Sequence, residues 1–232
     1  MNTMTTALLI IDVQQGLCEG DGGGDGVAFE STQVIARINT VSAKARAAGA
    51  PVIFIQHESA SGYLEFETPA WQLAQGLHVE PADLRIRKTT PDAFLRTDLQ
   101  DMLQQHAINN LIICGMHTEF CVDTTTRRAL ALGYPVVLVA DGHTSAGNPH
   151  LSATQVIAHH NATLTNISSF GPRVRAVLAG DLRISVEVVE GGVFIQAVGK
   201  PQLTLAQKLK AFDPLVHGGE VMATGRVGTE VF

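Results

Sequence analysis

Asp12, Lys88 and Cys121 stand out in this 232-residue chain because their chemistries complement one another and each sits where a run of strand character stops. Ala7-Leu8-Leu9-Ile10-Ile11 precedes the aspartate, Leu84-Arg85-Ile86-Arg87 the lysine, and Leu111-Ile112-Ile113-Cys114-Gly115 the segment that carries the cysteine. A thiolate can attack a carbonyl carbon, a carboxylate can take the thiol proton and later activate water, and an ammonium can stabilise both anions. Together they would make an acyl-transfer site. Thr118 reads as the cap of a helix, which puts Cys121 in the first turn, where free N–H groups and the positive end of the helix dipole favour the thiolate. Two of the residues also have plainer readings: a small buried cysteine at a strand–helix corner, and a lysine that is an exposed charge at the end of a strand.

Composition narrows the setting. A formal charge of −6, a pI near 5.8 and 45% hydrophobic residues describe a soluble globular protein with ample core, and exclude a broad nucleic-acid or membrane surface. Three irregularly spaced cysteines form neither a disulfide framework nor a structural zinc pattern, so a reducing cytoplasm is expected. Residues 1–6 are polar, and the apolar run over 7–11 is too short for a signal peptide or a membrane span.

The elements that must position the three residues alternate along the chain. Strands are expected over 7–13, 51–57, 84–88, 111–114, 134–141 and 162–167, and helices over 31–48, 94–106, 118–132 and 148–161. Such alternation with short connections predicts a three-layer α/β/α sandwich around a six-stranded parallel sheet, whose strand ends would gather Asp12, Lys88 and Cys121 into one cleft. The glycine-rich loop over 16–26 matches no phosphate-binding spacing, and Asp141-Gly142-His143 reads as a turn away from the fifth strand. Tyr63, Phe66 and Trp71 supply aromatic surface in an irregular stretch over 59–76. Beyond residue 182, alternation around Gly191-Gly192 predicts a β-hairpin, followed by a short helix over 203–212 and a glycine-rich tail. The expected division is a domain over 1–182 and a C-terminal hairpin, helix and tail over 183–232.

Three segments carry a family resemblance. Leu8-Leu9-Ile10-Ile11-Asp12-Val13-Gln14, Ile86-Arg87-Lys88 with Pro91-Asp92-Ala93-Phe94, and Gly115-Met116-His117-Thr118-Glu119-Phe120-Cys121-Val122 resemble the signatures of the isochorismatase-like cysteine hydrolases. The resemblance implies Asp12, Lys88 and Cys121 as a catalytic triad. It also implies a cis Met116–His117 peptide and an oxyanion hole built from the N–H groups of His117 and Cys121. Phe66, Trp71, Phe94, His117 and Phe120 are the expected substrate-pocket walls. Metal-binding members carry an Asp-x-His pair after the second strand, where this chain reads Gln56-His57-Glu58, so no metal or other cofactor is expected. His57, His78, His143, His159 and His160 read as structural or surface histidines, and Cys114 as core. Members that cleave a vinyl ether usually lack the cysteine; its presence favours hydrolysis of the C–N bond of a small amide or carbamoyl compound, with the isochorismatase-type reaction as the alternative.

The C-terminal segment resembles the second half of a MazE-like antitoxin in the order Val189-Glu190-Gly191-Gly192-Val193-Phe194-Ile195, Leu203 to Leu209, Asp213-Pro214 and His217-Gly218-Gly219-Glu220. The first half of that DNA-binding unit is missing, and residues 181–232 hold six acidic against five basic side chains, so nucleic-acid binding is not expected. A small-molecule substrate, homo-oligomer assembly and a protein partner for the tail are.

Overall fold

The computed structural model describes residues 5–20, 26–189 and 192–198. Six strands, β1 (Thr6–Ile11), β2 (Val52–His57), β3 (Leu84–Lys88), β4 (Asn110–Met116), β5 (Val136–Thr144) and β6 (Val174–Val177), form one parallel sheet in the order β3-β2-β1-β4-β5-β6. β1 is central: Leu8 lies opposite Val52 on one side and Ile112 on the other. Because successive side chains point to opposite faces, the apolar run of β1 feeds two cores at once. Leu8 and Ile10 pack with Val34, Ile38 and Val41 of α2 (Ser31–Ala47). Leu9 and Ile11 pack with Leu99 and Leu103 of α3 (Leu99–Gln105), Leu130 of α4 (Asp123–Ala131) and Leu164 of α5 (Ala153–Asn166). The expected three-layer α/β/α sandwich is present. Among the described residues no helix is long and apolar enough to cross a membrane.

Four elements differ from their sequence reading. Residues 162–167 alternate like a strand, yet they finish α5 and the sixth strand lies at Val174–Val177. The buried positions Ala153, Val156 and Leu164 follow a helical rather than a two-residue spacing, and Thr165 Oγ1 donates back to the Asn161 carbonyl at 2.7 Å. The helix expected over 94–106 is shortened to Leu99–Gln105, because Arg96 at φ 60° cannot continue an α-helix. β5 runs on through Gly142 and His143 to Thr144 across a register shift, instead of turning away. A five-residue helix α1 (Gln15–Glu19) occupies the start of the expected glycine-rich loop.

β7 (Arg183–Val189) and β8 (Gly192–Val198) form the expected antiparallel ribbon. Leu182 and Ala197 are buried in the same core as Leu8 and Ile10, and Lys44 Nζ donates to the carbonyls of Ala179 and Leu182. Contacts group Met1–Lys200 as one unit and Pro201–Phe232 as another, which sets the ribbon with the sheet. Gly22-Gly23-Gly24, Gly191, the helix over 203–212 and the tail lie outside the described residues.

Candidate active site

Asp12 directly follows β1 at φ 51°, a left-handed conformation that aspartate tolerates better than most residues, and its N–H donates to the Ile55 carbonyl at 2.8 Å. Lys88 is the last residue of β3. Its ammonium lies 2.6 Å from Asp12 Oδ2, 3.0 Å from the Thr90 carbonyl, 3.2 Å from Cys121 Sγ and 3.4 Å from His57 Nδ1. Cys121 belongs to a π-helical turn over Thr118–Val122 that leads into α4, entered through a cis Met116–His117 peptide. The three residues are brought together, as the strand-end argument expected.

The local frame of the cysteine departs from that expectation. His117, not Thr118, occupies the cap position, and no side chain caps the turn. The Thr118 hydroxyl is instead 2.8 Å from His143 Nδ1, while His143 Nε2 is 3.1 Å from Asn161 Oδ1. Asn161 commits its amide nitrogen to the Ala140 carbonyl, so its oxygen must accept from His143 Nε2–H, and His143 Nδ1 accepts from Thr118. Behind this turn, Gly115 sits at φ 123°, where an added Cβ would collide with the Ile11 backbone. Only glycine lets β4 approach the end of β1 this closely.

Burial dominates the electrostatics. The Lys88 and Asp12 side chains are fully enclosed, and Cys121 is 9% exposed. Burial, followed by the neighbouring Asp12 carboxylate, pushes the Cys121 thiol up to about 12 against the opposing pull of Lys88. Burial thus works against the thiolate that a helix start would favour, and Lys88 works for it. For Lys88, burial works against the charge, but Asp12 and Cys121 outweigh it and raise the pKa. Burial and then Lys88 lower that of His57.

A cavity of about 370 Å³ opens on this cluster, lined by Asp12, Leu17, His57, Ser59, Tyr63, Leu64, His117, Phe120 and Cys121. Of the expected wall residues, His117 and the 58% exposed Phe120 are there. Phe94 is not: it is 7% exposed and stacks on Tyr134 in the core under α3 and α4, since its aromatic surface completes that apolar layer. Trp71 lines a separate cavity with Gln56, Arg85 and Arg87, and Phe66 packs edge-on against it with the Arg87 guanidinium over the Phe66 ring. His57 was read as structural but belongs to the site. Its place at the C-terminal end of β2 was a signal available in the sequence, the same one that marked Lys88.

Asp12, His57 and Cys121 carry potential metal donors within 4.8 Å of one another, but the Lys88 ammonium stands among them and would repel a cation. After the second strand, Gln56 is engaged with the Trp71 carbonyl and Arg85, and Glu58 with Arg87. These residues do not fit a metal. Cys18 and Cys114 are buried in the core beneath α2, and burial raises both thiols.

The isochorismatase domain model matches residues 6–169. The chain belongs to the isochorismatase domain family. This family member is 36% identical to the streptothricin hydrolase of Streptomyces noursei over 144 residues, which make up 62% of this chain and only about half, 51%, of that protein. The ureidoacrylate amidohydrolase RutB of Pseudomonas syringae pv. syringae (strain B728a) is 29% identical over 198 residues, covering 71% of this chain and 78% of the relative. The crystal structure of an isochorismatase family protein matches with a TM-score of 0.66 at 37% identity, over 74% of this chain and 97% of the other.

Proposed function

We infer that this isochorismatase-family protein is a cysteine-dependent hydrolase that cleaves the C–N bond of a small amide or carbamoyl compound through a thioester at Cys121. The observation that carries this reading is the division of labour on Asp12: Lys88 holds Oδ2, while Oδ1 is buried with no hydrogen-bond partner among the described residues. An orphaned carboxylate oxygen beside a thiol whose pKa is raised is a base waiting for that proton. Asp12 takes the Cys121 proton as sulfur bonds to the carbonyl carbon, and the N–H groups of His117 and Cys121 receive the oxyanion. As the C–N bond breaks, Asp12 returns the proton to the leaving nitrogen. It then removes one from water, which attacks the thioester, and finally restores the thiol.

The activities for which the relatives are named, a streptothricin hydrolase and an amidohydrolase, support this class of reaction. Ammonia release from a panel of small amides and carbamoyl compounds tests it. Turnover should vanish in Cys121→Ala and fall by about 10² or more in Asp12→Asn, the usual weight of a general acid–base group. Near-wild-type turnover in either variant would remove that residue from the mechanism.

For the C-terminal segment we propose a role in oligomer assembly or in binding a MazF-like ribonuclease. Its support is the β7–β8 ribbon, which among the described residues pairs with no other strand, the kind of element that can take on a further strand. Light scattering and a pull-down on the full chain and on one ending at residue 182, which lacks the ribbon as well as the tail, would sink both roles if neither changed.

A further inference from the structure

The reading above leaves His57 without work, yet its ring lines the cavity beside Cys121 and Asp12. Its backbone is fixed with unusual care. The buried Gln14 side chain accepts from the His57 N–H at 2.7 Å and donates to the His57 carbonyl at 2.9 Å, so one amide grips both backbone groups.

The position of Lys88 decides the protonation of the ring. An ammonium has no lone pair, so its place 3.4 Å from Nδ1 favours the tautomer of neutral His57 that turns a lone pair toward Lys88 and carries the proton on Nε2. The groups around the ring bear on that neutrality: Lys88 and burial oppose a second proton, while Asp12, Glu58 and the Thr90 carbonyl favour it. The balance falls below the ordinary histidine range, which keeps the ring neutral at pH 7.

We propose that His57, with Nδ1 held against Lys88 and its ring in the wall of the Cys121 cavity, is a specificity-determining residue whose Nε2–H donates to a carbonyl or carboxylate oxygen next to the scissile group. The inference rests on the hydrolase reading and adds the substrate feature to it: an acceptor adjacent to the carbon that Cys121 attacks. A site built around a buried donor rejects an analogue that leaves the donor unpaired.

Two measurements on the full chain test this. First, nitrogen NMR of histidine-labelled protein, with the His57 signal identified by its loss in His57→Gln, should show the Nε2–H tautomer, neutral at pH 6.5. The Nδ1–H tautomer, or protonation at or above the ordinary pKa, would overturn the proposal. Second, alkylation of Cys121 by iodoacetamide, which carries a carbonyl, is compared with alkylation by iodoethane, which does not, each relative to its rate with glutathione. The preference for iodoacetamide should fall about tenfold in His57→Leu, the weight of one hydrogen bond, and largely survive in His57→Gln, whose amide can donate. An unchanged preference in His57→Leu refutes the role of His57 while leaving the nucleophile intact. If Cys121 is the slowest of the three cysteines toward both reagents, the hydrolase reading falls as well.

Discussion

At the residue scale, the Lys88–Asp12 pair is both chemistry and liability. Two fully enclosed opposite charges roughly balance their own desolvation, but removing one strands the other without water. Lys88→Met should therefore destabilise the fold by about 3–5 kcal/mol. The double variant Asp12→Asn/Lys88→Met should recover much of that loss, as read from urea denaturation midpoints. A single variant as stable as wild type would mean that water reaches Asp12. The meeting of Asp12, Lys88 and Cys121 was legible because each ends or follows a strand, and strand ends converge. His57 ends a strand too, but without an Asp-x-His metal pattern its sequence neighbours do not distinguish a pocket histidine from a structural one. Phe94 was misplaced because nothing in a sequence tells an aromatic ring that walls a pocket from one that completes a core layer.

At the element scale, the geometry of the Cys121 turn depends on what stands behind it. Gly115→Ala would place a methyl group against the Ile11 backbone, which cannot move without disturbing β1, at a φ that L-residues avoid. We expect a loss on the order of 3 kcal/mol in denaturation midpoint, with weaker iodoacetamide labelling of Cys121. His143 ties β5, the turn and α5 together and is enclosed without charge, its pKa driven down to about 4, chiefly by burial. A depressed histidine contributes stability that is complete above the unfolded pKa near 6.5 and is lost as pH falls toward 4, here about 3 kcal/mol. His143→Gln should flatten the pH dependence of stability between 7 and 4; an unchanged slope would show that other groups set it. Neither partner of His143 was visible in the sequence, because Asn161 was placed at the end of a helix that in fact runs on to Asn166.

At the scale of the whole molecule, the strand–helix alternation carried the fold because β1, β2 and β4 are buried on both faces, which only a sheet covered on both sides can satisfy. What the alternation missed was the sixth strand, since a threonine-rich helix end and a strand share β-branched residues. The family resemblance stops near residue 182, and burial in the core beneath α2 includes both Leu182 and a residue of β8. Leu182 is 1% exposed and Ala197 2%, both in the core beneath α2. Ending the chain at residue 182 should therefore cost on the order of 2 kcal/mol, through loss of Ile184 and Ala197 from this core and of the Ala197 carbonyl to which Arg175 donates, and ending it at residue 200 should cost little. Equal stability of the two shortened chains would return the boundary to 182.

The central place of β1 also bears on how the protein is made. Within this sheet β1 is made before both of its neighbours, because it pairs with β2, which begins at Val52, and with β4, which begins at Asn110. The strand after Asn110 must be synthesised before Leu8 and Ile10 are covered on both sides. Nascent β1 is thus a sticky, unpartnered β-segment for several seconds of translation, of the kind that chaperones bind. Codons that slow synthesis between β2 and β4 would prolong that exposure, so expression yield should respond to changes there more than to changes after β5.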